Sequence, residues 1–567
     1  MSVTGFPQEN NQVFPLCAGL GPKRAAKGAI LFALALNAPA AFAVEVPTGC
    51  SIPPAEPNNV FYVDPVNGSA SGNGSQASPW NSLQAVVSSI NGQSPLLSSV
   101  PYWHRLPSGQ WATATNPAAP VNPGDIVYLM SGNYGNVVIS VYESAIANSN
   151  FVTIAAAPGQ TPVLNSLLVK GTNKWHFQGL TIQSLASGLP EGGFLVSAVG
   201  QSLAIPNTDI IFDSLSLSSQ NDISAWSQAQ WVANGASGFL IGGGAPPGVT
   251  TCTTVVNSQI YNVKTGAGLL GNNLLFTNNT INNFAEDAID YAASNITISY
   301  NLLTNSNTID DNHNDFMQGQ IGYLPSGVKS NNFQNILIDS NIAIRQTNPN
   351  LSFPGGIQGI DAFDEDWTNL TVQNNVVATS SCWGIGYGSV HGGLIINNTV
   401  LDDLSNVGNV NSSGQVECHP QIYVGGSTHE GSPSNNVTIR NNISHGLGIN
   451  NSETAMQMDH NICTLIGAAC SVSFYVNGTA RWYTTPGVYG DGAGDVAQIL
   501  IDSTGAAGEF IAYNPLSLQY ELQLLPGAPA VGAGSSTESP ILDVTGAERG
   551  SPTDIGAYAF TIIAAPQ

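Results

Sequence analysis

Three short stretches hold most of the side chains that could do chemistry. They are Glu286, Asp287 and Asp290; Asp310, Asp311, His313, Asp315 and Gln318; and Asp361, Asp364, Glu365 and Asp366. Only 8% of the 567 residues are charged, so this concentration of acids is hard to assign to solubility alone. Carboxyl groups crowded together raise the pKa of at least one member, and a general acid working near neutral pH needs such a shift. Asp290 and Asp315 are the candidate acids, and Asp361 the candidate base that activates water. His313, two residues from Asp315, is placed to shuttle a proton or hold a substrate hydroxyl. The competing use of Asp361, Asp364, Glu365 and Asp366 is a calcium site, for which they supply oxygens without a specific spacing motif.

These stretches work together only if the chain stacks them, and a recurring phrase indicates that it does. Alternating aliphatics are followed by asparagine and another aliphatic: Ile296, Ile298, Asn301 and Leu302; then Ile336, Ile338, Asn341 and Ile342; Leu370, Val372, Asn375 and Val376; Val437, Ile439, Asn442 and Ile443. Aliphatics at every second position make a strand with one buried face, and asparagine tolerates the left-handed backbone of a corner. The closest copies, Asn279 to Asn301 and Asn375 to Asn398, are 22 and 23 residues apart, too short for a strand-helix-strand unit. Units that cannot bury their apolar side alone must stack, which predicts a parallel β-helix.

A second strand follows each phrase. Aligned on their central aliphatics, these strands place Ile289, Met317, Ile360, Ile385, Ile422 and Met456 inward, and one residue later Asp290, Gln318, Asp361, Gly386, Tyr423 and Gln457 outward. Such a polar strip suits a saccharide, with carboxylates and amides on hydroxyls and aromatics on ring faces. Asp287, Gln318, Tyr423 and Gln457 are the expected substrate-binding residues. Rungs about 4.8 Å apart would separate Asp290 from Asp361 by about 9.6 Å, near the upper limit of an inverting glycosidase. Strict alternation points Asp287 and Asp315 inward, where an unpaired carboxylate is costly, so both are expected at a bend that turns them outward.

The net charge of −24 disfavours nucleic acid and anionic membranes, and polyanionic substrates unless a cation mediates. Residues 1–43 read as a secretory signal: Lys23, Arg24 and Lys27 precede an apolar run ending Ala41, Phe42 and Ala43. At about 15 residues this run falls short of the roughly 20 needed to span a bilayer. A secreted or periplasmic monomer, without stable membrane insertion, is expected. Cys17 would leave with the leader, and the remaining six cysteines suit disulfides, with Cys382 and Cys418 on neighbouring rungs and Cys463 near Cys470.

Residues 44–120 form the N-terminal region. Val60–Val63 is a strand, and a capping helix begins at Ser78 and Pro79 and runs to Ile90. The coil occupies 121–462. Residues 463–567 lose the period and read as a C-terminal cap or small β module.

Tyr62, Val63, Asp64 and Gly68, the Ser78-to-Trp80 segment, Pro123, Gly124 and Asp125, Gly132 to Tyr134, and the asparagine-cornered rungs together resemble secreted right-handed parallel β-helix proteins of the pectate-lyase-like superfamily. Asp543 to Arg549 and Asp554 to Tyr558 resemble the tail that many of these proteins carry. The resemblance implies an all-β, right-handed parallel β-helix and a polysaccharide substrate, acted on by a lyase, a polygalacturonase-type hydrolase or an alginate epimerase. Carried over residue by residue, the lyase pattern fails, because no lysine or arginine stands in the strip. The epimerase pattern Asp-Pro-His-Asp is only echoed at Asp311 to Asn314. Carboxylate acid–base hydrolysis, needing no cofactor, is therefore the first expectation. A calcium-assisted lyase or epimerase and a non-catalytic glycan-binding surface protein are the alternatives.

Overall fold

The computed structural model describes residues 46–87, 96, 102–106, 108–140, 148–184, 193–201, 205–243, 250–320, 332–405, 418–426, 433–449, 456–464, 471–476, 479–483, 487–490, 496–502 and 506–561. The expected leader, Cys470 and Lys329 lie outside the described residues. All that follows concerns the unit Val44–Gln567.

The backbone winds as a parallel β-helix with three faces. The first face stacks strands such as Thr250–Val256, Asn272–Thr277, Ser294–Ser299, Asn332–Asp339, Asp366–Gln373 and Val390–Ile396. The second face stacks Gln259–Val263, Thr280–Phe284, Leu302–Ser306, Ile342–Ile344 and Val376–Thr379. The third face, a separate sheet, stacks Ala267–Leu270, Ile289–Tyr291, Asn314–Gly319, Ile357–Ala362, Trp383–Gly388, Gln421–Gly425 and Gly446–Ile449. Inward residues of all three faces fill one continuous apolar core, in which Ile289, Met317, Ile360, Ile385 and Ile422 are fully buried.

The corner between the first two faces corrects one expectation. The left-handed residue is the one before the motif asparagine: Tyr300, Ser340, Asn374, Asn397 and Asn441 have φ of 53–56°. The motif asparagines are buried instead, and their amides form a ladder from Asn279 through Asn301, Asn341, Asn375, Asn398 and Asn442 to Asn461, each Nδ2 donating to the next Oδ1 at 2.9–3.2 Å. Each amide also donates to a carbonyl of an earlier strand, as Asn301 does to Phe276 at 3.0 Å. A buried polar group must find partners on both sides, and only the same amide on the next rung supplies them at this spacing.

The capping helix starts later than expected and is described over Leu83–Val87; the rest of the expected span, to residue 90, lies outside the described residues. Ser82 Oγ, not Ser78, accepts from the Ala85 N–H at 3.2 Å, while Trp80 bridges to Val63. The Gln84 amide brackets the Val138 backbone at 2.8 and 3.0 Å, fixing the helix to the first strand of the third face. At the other end the coil runs beyond residue 462, since Val496–Asp502 still pairs parallel with Gln457–Thr464. The tail then returns along the second face: Arg549 donates to Asn374 Oδ1 at 2.6 Å and Asn441 donates to the Ser535 carbonyl at 2.8 Å. Phe510, Leu522, Val544 and Ile555 bury against Ile344, Val376, Leu401 and Ile443, so this segment covers a side of the coil.

The expected Cys382–Cys418 disulfide is present, with Cα atoms 5.3 Å apart. A second joins Cys50 to Cys252 across 202 residues, and Cys463 is also disulfide-bonded. Among the described residues no helix is long and apolar enough to cross a membrane.

Candidate active site

The third face carries the acids. Asp290 pairs in register with Gln318, and Gln318 with Asp361, so the three stand side by side on consecutive rungs. The row continues through Gly386 to Tyr423. It ends differently from the expectation: Gly448, not Gln457, follows Tyr423, and Leu447, not Met456, follows Ile422. Gln457 belongs to the first face, beside Thr438, with its amide near Arg440. The short strand Gly446–Ile449 alternates glycine with Leu447 and Ile449 but presents no polar side chain in the row, so a search for a polar residue beside the inward aliphatic passes over it.

Asp287 lies at the bend before Ile289–Tyr291, but it is buried rather than turned outward, and its Oδ1 accepts from the Asp315 backbone N–H at 2.8 Å. Asp315 stands within the strand Asn314–Gly319 rather than at a bend. Its side chain is wholly buried, yet Oδ2 bonds the imidazole Nδ1 of the largely exposed His313 at 2.9 Å. The carboxyls meet in two contacts, Asp287 with Asp290 and Asp315 with Asp361. Asp290 Oδ1, Asp315 Oδ1 and Asp361 Oδ2 are sealed from solvent, and no donor reaches them. Two carboxylates cannot satisfy each other without a proton between them or a donor brought by a ligand.

The titration of the cluster follows from that crowding. Burial pushes Asp290 up to about 7; its contact with Asp287 acts against this, and the charges of Asp315 and Glu286 add to it. Burial, then the charge of Asp290, raises Asp287 well above the usual carboxylate range. Asp315 is raised by burial and the charge of Asp287, and Asp361 by burial and the charge of Asp315. All four carboxyls are therefore held above the usual carboxylate range, by burial and by one another's charge.

Beside the cluster, Lys264 Nζ holds Glu286 at 2.9 Å, while Arg345, just past the second-face strand Ile342–Ile344, is buried against Asp403. Asp364 adds its charge to the field at Asp361, whereas Asp366 belongs to the first face and accepts from Ser389 Oγ. Asp361, Asp364, Glu365 and Asp366 do not converge: among the described residues no three His, Cys, Asp or Glu side chains are arranged to hold a metal ion. These four residues, the alternative calcium ligands, are thus divided between two faces, because the chain turns from the third face to the first within those six residues.

The sequence reading missed two aromatic residues. Phe363 and Trp383 flank the row, with ring centroids 5.0 Å apart, and Trp383 lies 5.3 Å from Tyr423. Periodicity hid Trp383: alternation turns a residue two before the inward Ile385 inward as well, and a register shift between Trp383 and Ile385 breaks that alternation.

No family model matches the chain, and no curated protein matches it. Among solved structures the chain is similar to the crystal structure of pectate lyase Pel9A, at 14% identity over 90% of this chain and 98% of that one, with a TM-score of 0.39. It is also similar to the Azotobacter vinelandii mannuronan C-5 epimerase AlgE6 A-module, at 14% identity over 59% and 84% and a TM-score of 0.37. A rhamnogalacturonan lyase matches at 12% identity over 71% and 84%, with a TM-score of 0.32. None shares enough sequence with the chain to carry a residue's role across.

Proposed function

We propose that the protein is an exported enzyme that cleaves glycosidic bonds of a polysaccharide lying along the third face, by inverting acid–base hydrolysis. The observation that carries the reading is the set of sealed, donor-less carboxyl oxygens on Asp290, Asp315 and Asp361, spread over three consecutive rungs. Asp290, still protonated near neutral pH, donates to the leaving glycosidic oxygen as the bond to the anomeric carbon breaks. The Asp315–Asp361 pair takes the proton of the water that attacks from the opposite side. His313, bonded to Asp315 and open to solvent, passes that proton out. Gln318, held between Asp290 and Asp361, bonds a sugar hydroxyl. The distance of about 9.6 Å across two rungs leaves room for the water, as inversion requires. Disulfides at Cys50–Cys252 and Cys382–Cys418 suit an oxidising compartment and so support export.

The test is reducing-end release from a panel of neutral and uronate-containing polysaccharides, by the wild type, Asp315→Asn and Asp361→Asn, with ultraviolet absorbance followed in parallel. Release by the wild type that falls at least a hundredfold in both variants supports the reading. Equal release by all three excludes these acids. A rise in absorbance from unsaturated uronates replaces hydrolysis by elimination, and binding without cleavage leaves a glycan-binding protein.

A further inference from the structure

Toward the C-terminal end of the coil from the acids, the outward row changes character. Gly386 and then Tyr423 follow Asp361 in register. Phe363, Trp383 and Tyr423 gather there, with centroids 5.0, 5.3 and 6.3 Å apart and planes tilted by 47–58°. The floor beneath them is glycine for a steric reason. A Cβ on Gly386 would fall 2.6 Å from Phe363 Cζ, and one on Gly425 2.6 Å from the Tyr423 hydroxyl, so both rings lie down on the sheet. All three side chains are half-buried, and none belongs to an apolar core cluster. The Cys382–Cys418 disulfide fastens the backbone beside Trp383.

We propose that Phe363, Trp383 and Tyr423 form a stacking subsite for an uncharged pyranose ring, which lays the saccharide along the coil with its neighbouring residue over Asp361. The proposal rests on the reading of the acid cluster as the cleavage site. Ring faces bear negative charge density and favour the C–H face of a sugar over an anionic group. Lys264, beside the cluster, is already engaged with Glu286, so a uronate carboxylate would not find it free.

The experiment measures binding of neutral β-glucan and chitin oligosaccharides, and of oligogalacturonates, to Asp361→Asn by calorimetry and tryptophan fluorescence. It then repeats this with Trp383→Ala or Tyr423→Ala added. Neutral oligosaccharides should bind and quench the fluorescence, and each truncation should weaken them about tenfold. In the otherwise wild-type enzyme the same truncations should raise KM by a similar factor and leave kcat within about twofold. Trp383→Phe, which keeps a ring, should restore most of the affinity even if Trp383→Ala is poorly folded. Neutral binding indifferent to both truncations, or tighter binding of oligogalacturonates than of any neutral oligosaccharide, overturns the proposal. If the truncations weaken binding but Asp361→Asn still cleaves, the subsite stands and the assignment of the acids falls.

Discussion

Asp290→Asn separates the folding role of the acid cluster from its chemical one. An ordinary aspartate titrates at 3.8, and here burial holds Asp290 at about 7. At about pH 3 and below, the proton is bound in the folded and largely in the unfolded chain, and asparagine differs little from the wild type. From about pH 3 to 7 the unfolded carboxyl ionises while the folded one keeps its proton, so wild-type stability falls as pH rises and is fully lowered above the folded pKa. At about 1.4 kcal/mol per pKa unit, the shift from 3.8 to about 7 sets a ceiling of about 4 kcal/mol, and partial access to water reduces this to about 2 kcal/mol. Asparagine removes the ionisation and offers Asp287 a donor. Denaturant midpoints read by tryptophan fluorescence should therefore coincide at about pH 3 and favour Asp290→Asn by about 2 kcal/mol at about pH 8. The same variant should lose cleavage activity. A stability difference independent of pH, or a variant weaker than the wild type at pH 8, would mean that the carboxylate is charged and paired in the native state, and the reasoning about the cluster would fail.

The pH profile of kcat/KM should fall above about pH 7, where Asp290 gives up its proton, and a profile flat to pH 9 would remove Asp290 as the acid. Replacing ladder residue Asn341 by leucine leaves the amide N–H of Asn301 and the Oδ1 of Asn375 short of partners, and should cost about 2–4 kcal/mol by chemical denaturation. Exchanging Cys50 and Cys252 for serine should cost about 2–4 kcal/mol, because the bridge closes a very long loop, with little change in activity since it sits on the first face, away from the acids.

The winding and the row of acids were legible because both follow from a period of two and a repeated corner. Ile289, Met317, Ile360, Ile385 and Ile422 advertise their inward positions, and the outward residues come with them. What failed, failed for lack of such a marker. Gly446–Ile449 turns only glycine outward, so the polar row points past it to Gln457, which stands on another face. The corner residue proved to be the neighbour of the motif asparagine, because the asparagine itself is needed for the buried ladder. Phe363 stands just past the rung Ile357–Ala362, at the start of the acidic corner rather than within a rung, and only the fold brings it over Gly386. The tail's course along the second face depends on single hydrogen bonds such as Arg549 to Asn374, which no periodicity announces.

Cleavage in heavy-oxygen water is the most direct measurement of what the acid row does. The account predicts that mass spectrometry finds one labelled oxygen at each new reducing end made by the wild type, and no product from Asp361→Asn. Products without label and lighter by one water, formed at equal rates by both proteins, would contradict it.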